Sequence, residues 1–286
     1  MVRDSAADWS WVGFVQQGTG VRYLYLPYGP TARDGLEAAI ESAVGAARSL
    51  GLDFLRFEPC GSAASEAALA RARARRVKPV QPQHTWVLDL DADEEALRAG
   101  LERGHRSRVN AAPRKGVEVR VSEDPHADVG RFLELMRRTT ERAGFVAHPD
   151  DYYRAMVRVL ASSGAARLYV AEKDGRAVSA AISFEHPRAG TRYYAHAAAD
   201  QEVNRKVGAS VALVWRMILD ARASGYRLFD FWGVAPEGEP DHPWASISHF
   251  KRSFGGRPVD RLGTWEIPLN LIKYTLYRAA RQVARQ

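Results

Sequence analysis

The sequence predicts a mixed α/β protein built as two lobes, each a mostly antiparallel sheet flanked by helices. Two observations carry that expectation. Runs of β-branched and aromatic residues recur between segments with helical spacing of apolar residues, and the pattern appears once in each half of the chain. The 286 residues, 46% of them hydrophobic, are enough for two modest cores.

In the first half, VRYLYLPYGP (21–30) reads as a strand ending in a Pro/Gly loop. LEAAIESAVGAARSLG (36–51) reads as a helix stopped by a glycine, and LDFLRFEP (52–59) as a buried strand. An Ala/Arg-rich helix (63–76) and a strand (81–91) follow. Residues 91–116 read as one helix, acidic at its start and basic at its end, closed by Pro113 and Gly116. VEVRVSE (117–123) alternates as a strand.

The second half gives helices over 127–143 and 150–163, then strands over 166–175, 176–186 and 191–200. Asp174-Gly175 forms the turn between the first two of these strands. A helix (207–224), a strand (226–233) and an amphipathic segment (270–286) complete the chain. The order of strands, helix and further strand matches the acetyltransferase-like GNAT fold. The expected first lobe is 1–117 with 263–286 returning to it, and the second, carrying the active site, is 118–262. No coiled-coil arm is expected.

No stretch approaches a membrane span, and the N-terminus lacks the plan of a secretory signal, so a cytoplasmic protein is expected. A single cysteine, Cys60, excludes an internal disulfide and a cysteine-rich zinc site. The histidines show no paired metal-binding spacing, and no metal is expected. The net charge of +7 favours a polyanionic partner, either tRNA or nucleotide phosphates, or peripheral contact with an anionic membrane face. Arginine used as ordinary surface charge gives the same number.

Two constellations stand out. Arg205, Lys206 and Gly208 sit where a strand hands over to a helix, an arrangement suited to phosphate. It fits the pyrophosphate loop of coenzyme A-dependent acyltransferases except at Ser210. The second is FDFWGVAPEGEPDHPWASISHFKRSFGG (229–256), in which Lys251 lies between Phe250 and Phe254 ahead of a glycine pair. A lysine in an apolar frame stabilises an oxyanion or a phosphate, or loses its proton. Asp230 and His242 are candidate general bases, and His249 is weighed in the same way.

These residues resemble the Fem family of non-ribosomal peptidyl transferases. Seven stretches follow that family's order: LPYGP (26–30), Trp86 to Leu90, RAGFVAHPDDYY (142–153), RYYAHAAAD (192–200), FDFWGVAP (229–236), HPWASISHFKRSFGG (242–256) and IPLN (267–270). The resemblance implies transfer of an aminoacyl group from tRNA to an amine of a peptide-bearing acceptor, with no cofactor beyond the aminoacyl-tRNA co-substrate. The acceptor is a peptidoglycan precursor or a peptidyl-nucleoside antibiotic intermediate. Lys251 looks like the catalytic lysine, with Phe250 shaping the site and Asp230 beside it. His148, Tyr152, Tyr194, Trp232 and Trp244 are expected to bind acceptor, and Arg205, Lys206, Gly208 and Arg252 to bind tRNA or phosphate. His148 stands where an arginine is usual, and the first lobe looks shortened at its start; both favour a non-standard acceptor. A coenzyme A-dependent N-acyltransferase and a non-catalytic tRNA-binding or cell-wall module are the rival readings.

Overall fold

The structure, a computed structural model, describes residues 1–61, 66–144 and 146–283. The segment 62–65, which opens the expected Ala/Arg helix, lies outside the described residues, as do Phe145 of the RAGFVAHPDDYY stretch and the last three residues of the amphipathic segment. In chain order the elements begin with β1 (Val2–Ser5), β2 (Trp9–Gly18), β3 (Val21–Leu26), β4 (Thr31–Ala32), α1 (Leu36–Ser49), β5 (Phe54–Phe57), α2 (Glu66–Arg71) and β6 (Arg75–Arg76). Next come β7 (His84–Asp89), α3 (Glu94–Ala99), α4 (Arg103–Arg114), β8 (Val117–Val121), α5 (Pro125–Ala143), α6 (Asp150–Ser162), β9 (Ala166–Lys173) and β10 (Arg176–His186). The chain continues through β11 (Thr191–Ala199), α7 (Gln201–Val207), α8 (Ala209–Ala223), β12 (Leu228–Gly233), α9 (Ala245–Arg252), β13 (Arg257–Asp260), β14 (Trp265–Pro268) and α10 (Leu271–Val283).

The chain divides into two compact units, 1–83 with 260–286 and 84–259. This moves the expected boundary near 117 back to 83. The reason is pairing: β7 hydrogen-bonds along β12, and Leu88, Leu90, Leu97, Val109 and Ala112 share one core with α8. Residues 84–117 therefore belong to the second unit.

In the first unit the sheet runs β1-β2-β3-β5-β14-β6, with β4 on β2 and only β3–β5 parallel. The β1–β2 hairpin precedes the first strand expected from the sequence. Its signal was the alternation of Trp9, Trp11 and Gly13, the last two facing inward. One face packs Leu24, Leu26, Leu55 and Phe57 against Ile40 and Ala43 of α1. The other packs Phe54 and Val21 against Tyr274 and Tyr277 of α10.

The second unit's sheet runs β13-β7-β12-β11-β10-β9-β8. Its β11–β12 pair is parallel, and β10 lies antiparallel to both β9 and β11. One face carries α4 and α8 over Tyr169, Ala181, Phe229 and Phe231. The opposite face carries α5 and α6 over Leu168, Val170, Ala180 and Ile182. The helix expected over 91–116 is two helices. Asp93 caps α3, and the chain breaks at Gly100–Glu102, where Glu102 N–H donates to the Ser253 carbonyl at 3.0 Å and Ser253 Oγ donates to the Glu102 carboxylate at 2.8 Å. A continuous helix would forfeit that anchor to the end of α9.

Candidate active site

The site grows from a defect in the second sheet. β11 and β12 pair only from Thr191–Tyr193 to Leu228–Asp230; past that point β11 stays with β10 and β12 with β7, so the strands part. Each is bulged at the fork. Ala195 is the extra residue between the pairs Ile182–His196 and Ser183–Tyr194. On β12 two residues, Phe231 and Trp232, oppose the single Trp86 between the pairs Asp230–Val87 and Gly233–Thr85. Trp232 takes a left-handed conformation there, φ 65°, a strained choice for a bulky side chain. Its N–H donates to Asp230 Oδ1 at 2.7 Å, which holds the bulge closed.

Lys251 reaches this fork from α9. Its side chain is buried, 7% exposed, and Nζ donates to the Gly233 carbonyl at 2.5 Å. Burial pulls the ammonium down to about 8 from its ordinary 10.5, while the Asp230 carboxylate opposes that drop. One bond to Gly233 leaves two of the three N–H donors of a charged lysine for a ligand. Helix α9 is pinned in place by Ser248, whose hydroxyl accepts from Ala235 N–H and donates to the Trp244 carbonyl, both at 2.7 Å. Arg252 adds a bond to the Ala235 carbonyl at 2.9 Å and lies over the Trp86 ring.

From the fork an aromatic wall extends toward α6. Trp232 meets Tyr193 edge-on at 5.5 Å and Phe184 at 6.1 Å; Phe184 meets His196 at 5.8 Å. His196 meets Tyr153 at 5.3 Å, and His148 stacks on Tyr152 at 4.1 Å. Burial, with His148 adding to it, pulls His196 down to about 4, so it is neutral at pH 7. A continuous series of ring contacts thus joins the expected acceptor residues His148 and Tyr152 to Trp232, next to Asp230 and Lys251.

Other expected residues lie elsewhere. Tyr194 is a correction: it is buried in the core with α4 and α8, and its neighbour Tyr193 lines the wall. The Ala195 bulge shifts the in/out parity of β11, which a plain alternation cannot reveal. Phe250 packs on His105 and Phe254 at 5.3 Å each, in support of α9. Arg252, expected to bind tRNA or phosphate, spends one guanidinium N–H on holding α9. Trp244 is exposed beside His242, whose Nδ1 accepts from Trp244 N–H at 3.0 Å. His249 is exposed on α9. Cys60 lies in the first unit, its thiol raised by burial. Sequence reasoning missed Tyr193, His196, Phe184 and Ser248; the YYAH run on β11 was the one available signal.

At the β11-to-α8 connection, the helix α7 separates strand from helix. It carries Arg205 and Lys206 on its exposed last turn, Lys206 paired with Glu202. Gly208 follows at φ 75°, where a Cβ would stand 3.0 Å from Arg108. The Ser210 N–H, in the first turn of α8, donates to Asn204 Oδ1 at 2.7 Å, so one of the backbone donors this helix start could offer an anion is taken by a side chain.

A family model described as an acetyltransferase (GNAT) domain matches residues 97–252. The lipid II:glycine glycyltransferase of Staphylococcus aureus is 29% identical over 106 residues, 37% of this chain and 25% of that protein. The match thus spans a quarter of the length of that curated relative. Among solved structures, FemX superposes with a TM-score of 0.83 at 17% identity, over 96% of this chain and 88% of that one. L-PGS from Bacillus licheniformis gives 0.62 at 13% identity, over 95% and 85%. At these identities the superpositions establish the fold. Among the described residues no helix is long and apolar enough to cross a membrane.

Proposed function

The chain belongs to the acetyltransferase (GNAT) domain family, and from that premise we propose that it is a Fem-type aminoacyltransferase. It moves an aminoacyl group from the ester of a charged tRNA onto an amine of a peptide-bearing acceptor of the cell-wall precursor class. The observation that carries the reading is Lys251, buried at the fork of β11 and β12 with its ammonium on the Gly233 carbonyl. The named relatives, a glycyltransferase acting on lipid II and FemX, agree with it.

The chemistry asks little of the protein beyond placement and charge. The acceptor amine attacks the ester carbonyl carbon, a C–N bond forms, the C–O bond to the ribose breaks, and the amine proton ends on the departing ribose oxygen. Lys251, still mostly charged at pH 7, donates hydrogen bonds to the oxyanion as it develops. Asp230 keeps that charge in place by opposing the effect of burial. The wall from Trp232 to Tyr152 holds the acceptor peptide, and the neutral His196 gives it an uncharged floor. His148 and Tyr152 stand at the far end, where a polar or phosphate-bearing part of the acceptor would lie.

Coenzyme A is the alternative donor in a GNAT domain. The Asn204 side chain on the Ser210 N–H and the interposed α7 both weigh against a pyrophosphate at the start of α8. The test offers the protein charged tRNA with muramyl-pentapeptide acceptors, nucleotide-linked and lipid-linked, and with a peptidyl nucleoside. A mass gain of one aminoacyl residue is the expected product. Transfer from acetyl-coenzyme A in place of aminoacyl-tRNA would overturn the proposal.

A further inference from the structure

Helix α10 does not look like a helix meant for water. Its inner side is set by Tyr274 and Tyr277, both buried on Phe54. At 100° per residue the opposite side carries Ile272, Leu276 and Ala279, and Leu271 lies beside it. Leu271, Ile272 and Leu276 are 62%, 76% and 65% exposed. A surface helix normally turns polar residues outward, yet α10 has no acidic residue and its outward stripe has no charge. The cations stand at the stripe's two flanks, Lys273 on one side and Arg278 on the other.

Beside α10 lies a cleft of about 260 Å³ lined by Arg56, the 77–80 segment, Glu266, Tyr277, Arg278 and Arg281. Glu266 is its sole acidic residue and is fully buried, bound by Arg56, Arg278 and the Tyr274 hydroxyl. Lys78 and Arg281 have no carboxylate partner among the described residues. The lining therefore carries an excess of three positive charges. The Tyr277 hydroxyl accepts from Arg56 at 3.1 Å and from Arg281 at 2.9 Å, which leaves its own proton to donate. At this size, below the roughly 300 Å³ where small-molecule sites begin, the cleft suits one ionic head group of a larger assembly.

We propose that the first unit docks on an anionic phospholipid surface through α10, with Ile272 and Leu276 entering the head-group/acyl boundary and a lipid phosphate seated in the Arg56–Arg278–Arg281 cleft. An uncharged stripe flanked by cations is the pattern of an interfacial helix, with the long basic side chains reaching back to the head groups. A nucleic-acid backbone would fit the cleft but would leave three large apolar side chains facing water. The inference stands apart from the transfer chemistry, since none of these residues belongs to the fork around Lys251.

The test is co-sedimentation of the whole protein with phosphatidylcholine vesicles, with and without phosphatidylglycerol. Binding is expected only when the anionic lipid is present, and it weakens as salt rises. The I272S/L276S variant loses binding by about a hundredfold, and Lys78→Ala weakens it about fivefold. Both keep the parent's urea midpoint and its transfer rate on a water-soluble acceptor, which separates failure here from failure of the proposed activity. Equal binding to neutral vesicles, or none to either, overturns the proposal. So does loss of tRNA retention or of a concentration-dependent dimer in I272S/L276S with vesicle binding intact; those outcomes assign the helix to nucleic acid or to a second copy of the chain.

Discussion

Replacing Lys251 with methionine separates its catalytic use from its structural cost. The side chain is 7% exposed, and burial takes its ammonium from 10.5 to about 8. At about 1.4 kcal/mol per pH unit, keeping the charge in the fold at pH 7 costs about 3 kcal/mol. Methionine removes that cost and fills a similar volume, but it leaves the Gly233 carbonyl without its donor, a loss of about 1–3 kcal/mol. The net change runs from about neutral to a gain of about 2 kcal/mol, read as the urea midpoint by tryptophan fluorescence. Aminoacyl transfer, in contrast, should fall by about 10²–10³ if Lys251 stabilises the oxyanion. A pH series supplies the sign. Between about 8 and 10.5 the unfolded chain holds the lysine proton and the folded chain does not, so parental stability rises with pH relative to the variant across that window. A K251M protein that loses stability yet transfers at the parental rate would make Lys251 a strut under Gly233 and refute the mechanism. A stability difference that is flat over the pH window would show that the ammonium is not desolvated.

Three further outcomes are expected. His105, buried against Phe254, and His196 are both pushed down to about 4 chiefly by burial, so the fold should lose stability as pH falls from about 6.5 toward 4; His105→Leu should make that acid limb shallower by about half, leaving the share of His196, in a urea-midpoint series. Gly256→Ala should cost at least about 3 kcal/mol, because φ is 99° and the new Cβ would stand 2.4 Å from the Val87 carbonyl oxygen; chemical denaturation reads it. His148→Arg should lower KM about tenfold for an acceptor carrying a pyrophosphate, through a charge-assisted hydrogen bond, and leave KM unchanged for a peptidyl nucleoside without one. Steady-state kinetics on the two acceptors distinguishes them.

Much of the fold could be read from the chain because local rules agree with tertiary ones there. The Asp174-Gly175 turn, Gly51 closing α1 and Gly116 after α4 all sit at left-handed positions where the sequence placed a turn or a stop. Lys251 was legible for a similar reason. Flanked by Phe250 and Phe254 one helical turn apart, it is carried into the interior when those rings pack on His105. The hidden parts all depend on pairing between distant segments. The unit boundary is set by β7 choosing β12 as partner, and the break between α3 and α4 by an anchor to Ser253 some 150 residues on. The aromatic wall depends on two one-residue bulges. If Ala195 were counted as an ordinary paired residue, strict alternation back from His196–Ala199 would put Tyr193 and Tyr194 on the opposite faces from those they occupy, and without the Trp232 bulge β12 would stay in plain register with β7. Bulges leave little trace in composition. Trp232 in a left-handed conformation is nonetheless tolerated because Asp230 takes its N–H and Tyr193 and Phe184 take its ring. The strain, the parted strands and the buried ammonium fall within four residues of one another on β12, which is where a site that works by fixed charge and fixed placement would have to be built.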